Sequence, residues 1–380
     1  MSESADIPEP DRLEGAPHPR ETLALVGQQH AEAAFLDAYT SGRLHHAWLI
    51  TGPRGVGKAT LAWRLARFLL TAPEPGGEDS LFGAPSPPDT LDIDPEHPVN
   101  RRVQALSEPR LFLLRRPWDD KAKRLKQEIT VDEARKLKGF FAMSSTDGGR
   151  RVVIVDSADE MNPSAANAVL KLLEEPPART VLLLVSHQPS RLLPTIRSRC
   201  RTLRCDPLTP ADMEHALAAA GATLPEDMSP LTALAVGSVG VAYRLISEDG
   251  LALYANLVAL FQSAPGIDRD RALSFCNAVG QRGGEVTIDQ ALETIDLFLS
   301  RLARTGVLGP PDPEAARGEA ALMSRLCPHL GAARHWAALQ QTVSERTRHG
   351  VAVNLDPAAL LLDTVLKINA GAEEGLPAPV

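Results

Sequence analysis

Apolar residues fall into two patterns along this chain, and the change from one to the other divides it. Between residues 47 and 205, short unbroken apolar runs alternate with stretches of helical spacing. Residues 47–51, AWLIT, form a run that ends at a glycine-rich loop and predict a buried strand. Leu61, Leu65, Phe68 and Leu69 then recur at helical spacing and predict a helix from Lys58 to Leu70. Residues 111–114, LFLL, predict a second strand. Residues 152–156, VVIVD, are β-branched and close on an acid, as a central parallel strand does. Ser164–Glu174 predicts a helix, stopped by Pro176 and Pro177. Residues 180–186, TVLLLVS, predict another strand, and 201–205 is a further candidate. Strands alternating with helices imply a parallel sheet covered on both faces. After Asp206 only helical patterns occur, among them 210–220, 229–236, 287–305 and 357–369. The expected fold class is therefore α/β, followed by all-α material.

Two stretches break these patterns. Residues 1–20, rich in acid and proline, predict a flexible tail. Residues 72–99, dense in proline and glycine, predict a protease-sensitive surface loop with no regular element.

Composition narrows the classes. The 44% hydrophobic content is ordinary for a globular chain with a sizeable core. No run of about 18 apolar residues occurs, and the N-terminus lacks the basic and apolar regions of a secretory signal. No membrane association is expected, and the expected compartment is the cytoplasm. Cys200, Cys205, Cys276 and Cys327 show no C-x-x-C spacing, so free thiols are expected rather than a zinc or redox site. A net charge of −8 argues against a protein that coats DNA unaided. Charge is unevenly spread, however: Arg191 to Arg204 holds five arginines and no acid, and Arg101 to Lys138 holds twelve Lys/Arg against six Asp/Glu. Such stretches can meet phosphate within a larger assembly, or can be solvated faces.

The strongest chemical motif is Gly52-Pro-Arg-Gly-Val-Gly-Lys58, between a strand and a helix. Gly52, Gly55 and Gly57 would let backbone N–H groups curl around phosphate, the helix N-terminus adds positive dipole, and Lys58 neutralises charge. The next position should carry a hydroxyl for Mg²⁺, but it is Ala59. Thr60 follows, about 100° further round the helix. Asp156 stands where an acid holds Mg²⁺ through water, yet it is followed by Ser157 instead of a water-polarising glutamate. Glu160 lies too far along to replace it. Ser186, at a strand end, is placed either to sense phosphate or to cap the next turn. His45 and His46 lack further metal ligands and read as packing residues, and Glu174-Glu175 as a structural helix end.

Arg43-Leu-His-His-Ala-Trp-Leu-Ile-Thr-Gly52, Asn167-Ala-Val-Leu-Lys-Leu-Leu-Glu-Glu-Pro-Pro177 and Ser198-Arg-Cys200 resemble the clamp-loader subunits of bacterial DNA polymerase III, of the AAA+ family. The likeness is strong from Leu25 to Cys205 and weaker at Gly237-Ser238 and Asn354-Leu-Asp-Pro357. It implies an AAA+ core over 21–206, a helical lid over 207–246 and a helical collar over 247–380. It also implies a ring with gamma/tau and delta subunits that loads a sliding clamp on primed DNA. Arg199 would be the arginine finger reaching a neighbour's ATP. Gly52, Gly55, Gly57, Lys58 and Asp156 would form a degenerate nucleotide site with weak ATP or ADP binding and no required cofactor. The family's four-cysteine zinc module is missing, since no cysteine precedes Cys200, so no zinc is expected. Gly237–Ala242 lacks the arginine that active subunits place beside ATP. With Ala59 and Ser157 these departures favour the delta-prime type over two alternatives: an ATP-hydrolysing gamma/tau-type motor, and a free-standing DNA-binding adaptor.

Overall fold

In the computed structural model, which describes residues 8–72, 88–142, 149–280 and 287–374, the apolar runs pair into one parallel sheet. The order along the chain begins α1 (Gln29–Thr40), β1 (Ala47–Thr51), α2 (Lys58–Thr71), α3 (Pro98–Gln104) and β2 (Leu111–Arg115). A small hairpin, β3 (Trp118–Asp119) and β4 (Arg124–Leu125), precedes α4 (Val131–Ala142) and β5 (Arg151–Asp156). Then come α5 (Pro163–Glu174), β6 (Thr180–Ser186), α6 (Pro194–Arg197), β7 (Arg201–Arg204) and α7 (Pro210–Ala219). The five-stranded sheet has the order β2-β5-β6-β1-β7, with every pair parallel. The strands read from sequence agree with these to within one residue at each end. The helices α1, α3 and α4 and the hairpin were not singled out there.

The inner residues of the central strands are apolar because both faces are covered. All seven residues of β6 are buried. Val153, Val155, Leu182 and Leu184 share one cluster with Leu137 and Phe140 of α4 and Val169 and Leu173 of α5. On the opposite face Trp48 of β1 meets Phe35 of α1, ring centroids 5.0 Å apart. Local chemistry sets the helix starts: Asn162 accepts from the Ala165 N–H at 2.9 Å with Pro163 at the first helical position. Thr209 does the same for α7, accepting from Asp212 N at 3.1 Å.

Residues 8–20 correct the expectation of a flexible tail over 1–20. His18 is fully buried, its Nε2 3.3 Å from Asp11 Oδ2. Arg115, at the end of β2, binds Glu9 at 2.8 Å and also pairs with Asp11, while Arg20 reaches Glu9 at 2.6 Å. The acids that look solvated in sequence are matched by cations distant along the chain. Residues 1–7 lie outside the described residues. So do 73–87 and with them most of the expected 72–99 loop; its end from Pro98 starts α3.

The chain divides into two compact units. One takes the chain up to Gly221 together with Gly237–Gly240; the other takes Ala222–Val236 and Val241 onward. The residues expected as a lid, 207–246, are thus shared between the units. The second unit is helical: α8 (Ser229–Ala235), α9 (Val239–Ser247, which begins in the Gly237–Gly240 segment), α10 (Gly250–Phe261), α11 (Arg269–Gly280), α12 (Ile288–Leu308), α13 (Glu319–Leu326), α14 (Leu330–Ala352) and α15 (Pro357–Glu374). Thr287 and Gln290 exchange side-chain and backbone bonds in a capping box that starts α12. Phe261 and Phe298 stack with centroids 5.3 Å apart in a core that also holds Trp336, Leu361 and Val365. No helix among the described residues is long and apolar enough to cross a membrane.

Inside that apolar core sits one carboxylate, Glu319, with no exposure. Tyr254 donates to its Oε1 at 2.5 Å, Arg301 donates from Nε at 2.7 Å and Nη2 at 3.1 Å, and the Ala315 N–H donates at 2.6 Å. Arg301 also donates to the Ala233 carbonyl at 2.8 Å, tying α8 to α12. Removing the carboxylate would leave Arg301 without its buried counterion. Glu319→Ala is therefore expected to destabilise the second unit by about 3–5 kcal/mol, and Tyr254→Phe by about 1 kcal/mol. Denaturant unfolding followed by circular dichroism tests both values.

Candidate functional site

The phosphate-type loop emerges at the carboxyl end of β1 and runs into α2. Two of its glycines are demanded by their surroundings. Gly52 has φ +146°, and a Cβ there would lie 2.2 Å from the Cys205 carbonyl oxygen. Gly55 has φ +78°, and its Cβ would lie 2.4 Å from Ser238 Oγ. The Gly237–Gly240 segment closes over the loop: Gly240 N donates to Gly55 O at 3.0 Å and Ser238 Oγ to Arg54 O at 2.8 Å. Gln28 pins the far side, donating to Val56 O at 3.1 Å and Asp206 O at 2.8 Å while accepting from Asp206 N at 3.1 Å. Gly57 precedes α2 with φ +96°, and Lys58 opens the helix. Lys58 is buried, and its Nζ donates to the loop's own Pro53 carbonyl. Burial pulls the Lys58 ammonium down to about 8, against the opposing influence of Cys205, Asp156 and Asp159.

Asp156 closes β5 and is buried beside this loop. Burial, reinforced by the Asp11 carboxylate, pushes its carboxyl up to about 7, although the Ser157 hydrogen bond and Lys58 act the other way. Ser157 Oγ donates to Asp156 Oδ1 at 3.1 Å and lies 2.9 Å from His187 Nε2. With the serine proton on Asp156, the Nε2–H of His187 is the donor to Ser157. His187 is pushed down to about 4, first by burial and then by the Lys58 charge, and is neutral at pH 7. Its backbone N–H donates to Asp159 Oδ1 at 3.0 Å. His187 was missed in the sequence. The available signal was a polar pair, Ser186-His187, directly after the apolar run of residues 181–185.

Ala59 offers no oxygen to a metal, and burial pushes the Asp156 carboxyl up to about 7. Glu160 is paired with Arg116 at 2.8 Å, which keeps it from standing in for the missing glutamate. Among the described residues no cluster of three or more His, Cys, Asp or Glu is arranged to hold a metal ion. His45 and His46 stack on each other, with His46 bonded to the Leu173 carbonyl at 3.1 Å, as packing residues do. Ser186 Oγ is buried without a hydrogen-bond partner among the described residues, so it caps no turn there.

Arg199 lies apart from this cluster in sequence and in its bonds. It occupies the turn between α6 and β7, an edge strand of the sheet, and its side chain is 37% exposed. Its Nη2 lies 2.9 Å from Glu174 Oε1, and its Nη1 donates to the Thr195 carbonyl at 3.1 Å. All four cysteines are free; Cys205, Cys276 and Cys327 are buried and Cys200 is half-buried.

The buried acid makes stability depend on pH. Burial holds the Asp156 carboxyl at about 7 in the folded chain, against the ordinary aspartate value of 3.8 when unfolded. Between those values the folded state holds the extra proton, so stability falls as pH rises, and the full cost is present above 7. Asp156→Asn is expected to stabilise the fold by roughly 1–3 kcal/mol at pH 8 and to have little effect at pH 4. Denaturant midpoints at the two pH values check this.

Residues 27–209 match the family model described as DNA polymerase III, delta subunit. The chain is 38% identical over 209 residues to the DNA polymerase III subunit delta' of Pseudomonas aeruginosa, covering 53% of this chain and 55% of that one. It is 31% identical over 243 residues to subunit delta' of Escherichia coli K12, covering 61% of this chain and 64% of the relative. Similarity extends to a gamma/tau subunit of Mycobacterium tuberculosis H37Rv, 31% identical over 206 residues but covering 31% of that longer chain. The chain thus spans 55% and 64% of the two delta' relatives and 31% of the gamma/tau relative. Residues 27–209, just under half of the chain, carry the loop, Asp156 and Arg199, and over them the chain is similar to the DNA polymerase III delta-subunit family and to relatives named subunit delta'.

Proposed function

We propose that this chain is the non-hydrolysing delta-prime member of a DNA polymerase III clamp loader. In this reading it joins gamma/tau and delta subunits in a ring, and helps place the sliding clamp on primed DNA in the cytoplasm. Arg199 serves the ATP of a neighbouring subunit as an arginine finger. A guanidinium suits that task because it is planar, always charged and able to bond two phosphate oxygens at once. The chain's own loop, Gly52, Gly55, Gly57 and Lys58 with Asp156, is a degenerate nucleotide site. It retains backbone donors and one cation for weak ATP or ADP binding and requires neither nucleotide nor zinc.

One contrast carries the proposal. The chain's own loop has lost the hydroxyl at Ala59 and the acid at Ser157, while Arg199 stands part-exposed at a sheet edge. An ATPase motor needs the first set, and a subunit that completes another's site needs only the second.

The isolated chain is expected to turn over ATP far below about 1 s⁻¹, the low end of ordinary enzyme rates. Turnover at that rate from a preparation free of partners would contradict the non-hydrolysing role. A finger supplied in trans is worth roughly 10³–10⁵ in rate at its own site. In the reconstituted complex with clamp and primed DNA, Arg199→Ala should remove that one site's share of ATP hydrolysis and slow loading, with assembly intact. Arg199→Lys should rescue poorly, because an ammonium lacks the planar fork. Unchanged hydrolysis and loading in Arg199→Ala would reduce Arg199 to a surface cation.

A further inference from the structure

We infer that Glu174 is the positioning residue of Arg199: the acid that ends α5 holds the guanidinium in place for the phosphate it is to meet. This inference rests on the proposed role of Arg199 in trans. It gives chemical work to a motif otherwise read as a structural stop.

The case begins with where Glu174 stands. It is the last residue of α5, and Glu175 closes the helix with its N–H on the Lys171 carbonyl at 3.0 Å. Pro176 and Pro177 then prevent the helix from continuing. A helix C-terminus carries partial negative charge, so two successive acids there oppose the local field. A cation over that end relieves the conflict. Arg199 supplies it, with Nη2 2.9 Å from Glu174 Oε1.

The anchor is rigid and the finger is not. Helix α5 packs Ala165, Val169 and Leu173 into the core cluster under the sheet, which fixes its last turn. Arg199 sits on a turn after the four-residue helix α6, on a long flexible stem. Left alone, that stem samples many rotamers, and ordering it on a ligand costs binding energy. Two contacts within the chain restrict it: the ion pair with Glu174 and the hydrogen bond to the Thr195 carbonyl at 3.1 Å. A guanidinium carries five N–H donors. One is bonded to the Thr195 carbonyl, Nη2 faces Glu174, and the others remain available for phosphate oxygens. Both side chains are partly exposed, 37% for Arg199 and 44% for Glu174, so the pair is open to an approaching neighbour. Exposure also limits the strength of the pair, so the effect of losing it is graded.

The test uses the complete complex with gamma/tau and delta subunits, clamp and primed DNA, comparing Glu174→Ala, Glu174→Gln, Arg199→Ala and the double variant Glu174→Ala/Arg199→Ala. Glu174→Ala is expected to lower kcat for stimulated ATP hydrolysis about two- to fivefold with assembly unchanged. Glu174→Gln, which keeps an acceptor, should fall between it and wild type. The double variant should be no worse than Arg199→Ala alone, because Glu174 acts through Arg199. A merely structural Glu174 would instead add its own deficit to that of Arg199→Ala, and additivity overturns the inference. Wild-type turnover in Glu174→Ala, with Arg199→Ala impaired, overturns it too while sparing the finger. If Arg199→Ala itself has no effect, the reading beneath the inference falls as well.

Discussion

The seating of β1 between β6 and β7 is the constraint on which the candidate site depends. Its register sets Thr51 beside Ser186 on one side and Arg204 on the other. The same alignment carries across the sheet, where Asp156 pairs with Val185 and with Arg115. β1, β5 and β6 end their apolar runs in Thr51, Asp156 and Ser186, so polar groups collect along the carboxyl edge. A slip of one residue in β1 would turn Trp48 toward the cluster now filled by Leu49 and draw the glycine loop out of step with its neighbours. The loop is held accordingly at three places, by Gln28, by the Cys205 carbonyl packed against Gly52, and by Ser238 and Gly240.

Burial then decides the chemistry that this edge can perform. Lys58, Asp156 and His187 are each driven toward their neutral forms by loss of water. A hydrolysing nucleotide site needs the opposite: an ionised acid to hold a metal and a hydroxyl to share it. Here Ser157 links Asp156 to His187 by hydrogen bonds in one polar cluster. Glu319 in the second unit has a different set of partners. Its carboxylate is just as buried, yet four donated hydrogen bonds and one guanidinium surround it. The difference between the two sites lies in the number of donors each acid receives.

The ends of elements also connect the two motifs most visible in the resemblance. The Leu-Leu-Glu-Glu-Pro-Pro stop fixes where α5 ends, and the Ser-Arg-Cys turn fixes where β7 begins. Both lie on the same side of the core because α5 leads into β6 and α6 leads into β7, at the sheet's far edge. The contact between Glu174 and Arg199 is a product of that topology, 25 residues apart in sequence.

Much of this was determined by the sequence alone. Strand positions followed from apolar runs such as VVIVD and TVLLLVS, since only a strand buried on both faces tolerates them. The stop after Glu174 followed from two prolines, and the lack of a hydroxyl after Lys58 and of a second acid after Asp156 from the single letters at Ala59 and Ser157. These are local signals, carried by residue type and spacing. What tertiary structure decided was everything that depends on partners distant in the chain. Glu9 and Asp11 have the look of a solvated tail until Arg115, more than a hundred residues on, arrives beside them. Helix α14 is polar over much of its length, and its burial becomes evident only when Trp336 meets the core of the second unit. His187 is one more residue after a strand until the sheet sets it against Ser157. Pattern and propensity act over a few residues, whereas desolvation and ion pairing depend on which side chains the completed fold brings within a few ångströms.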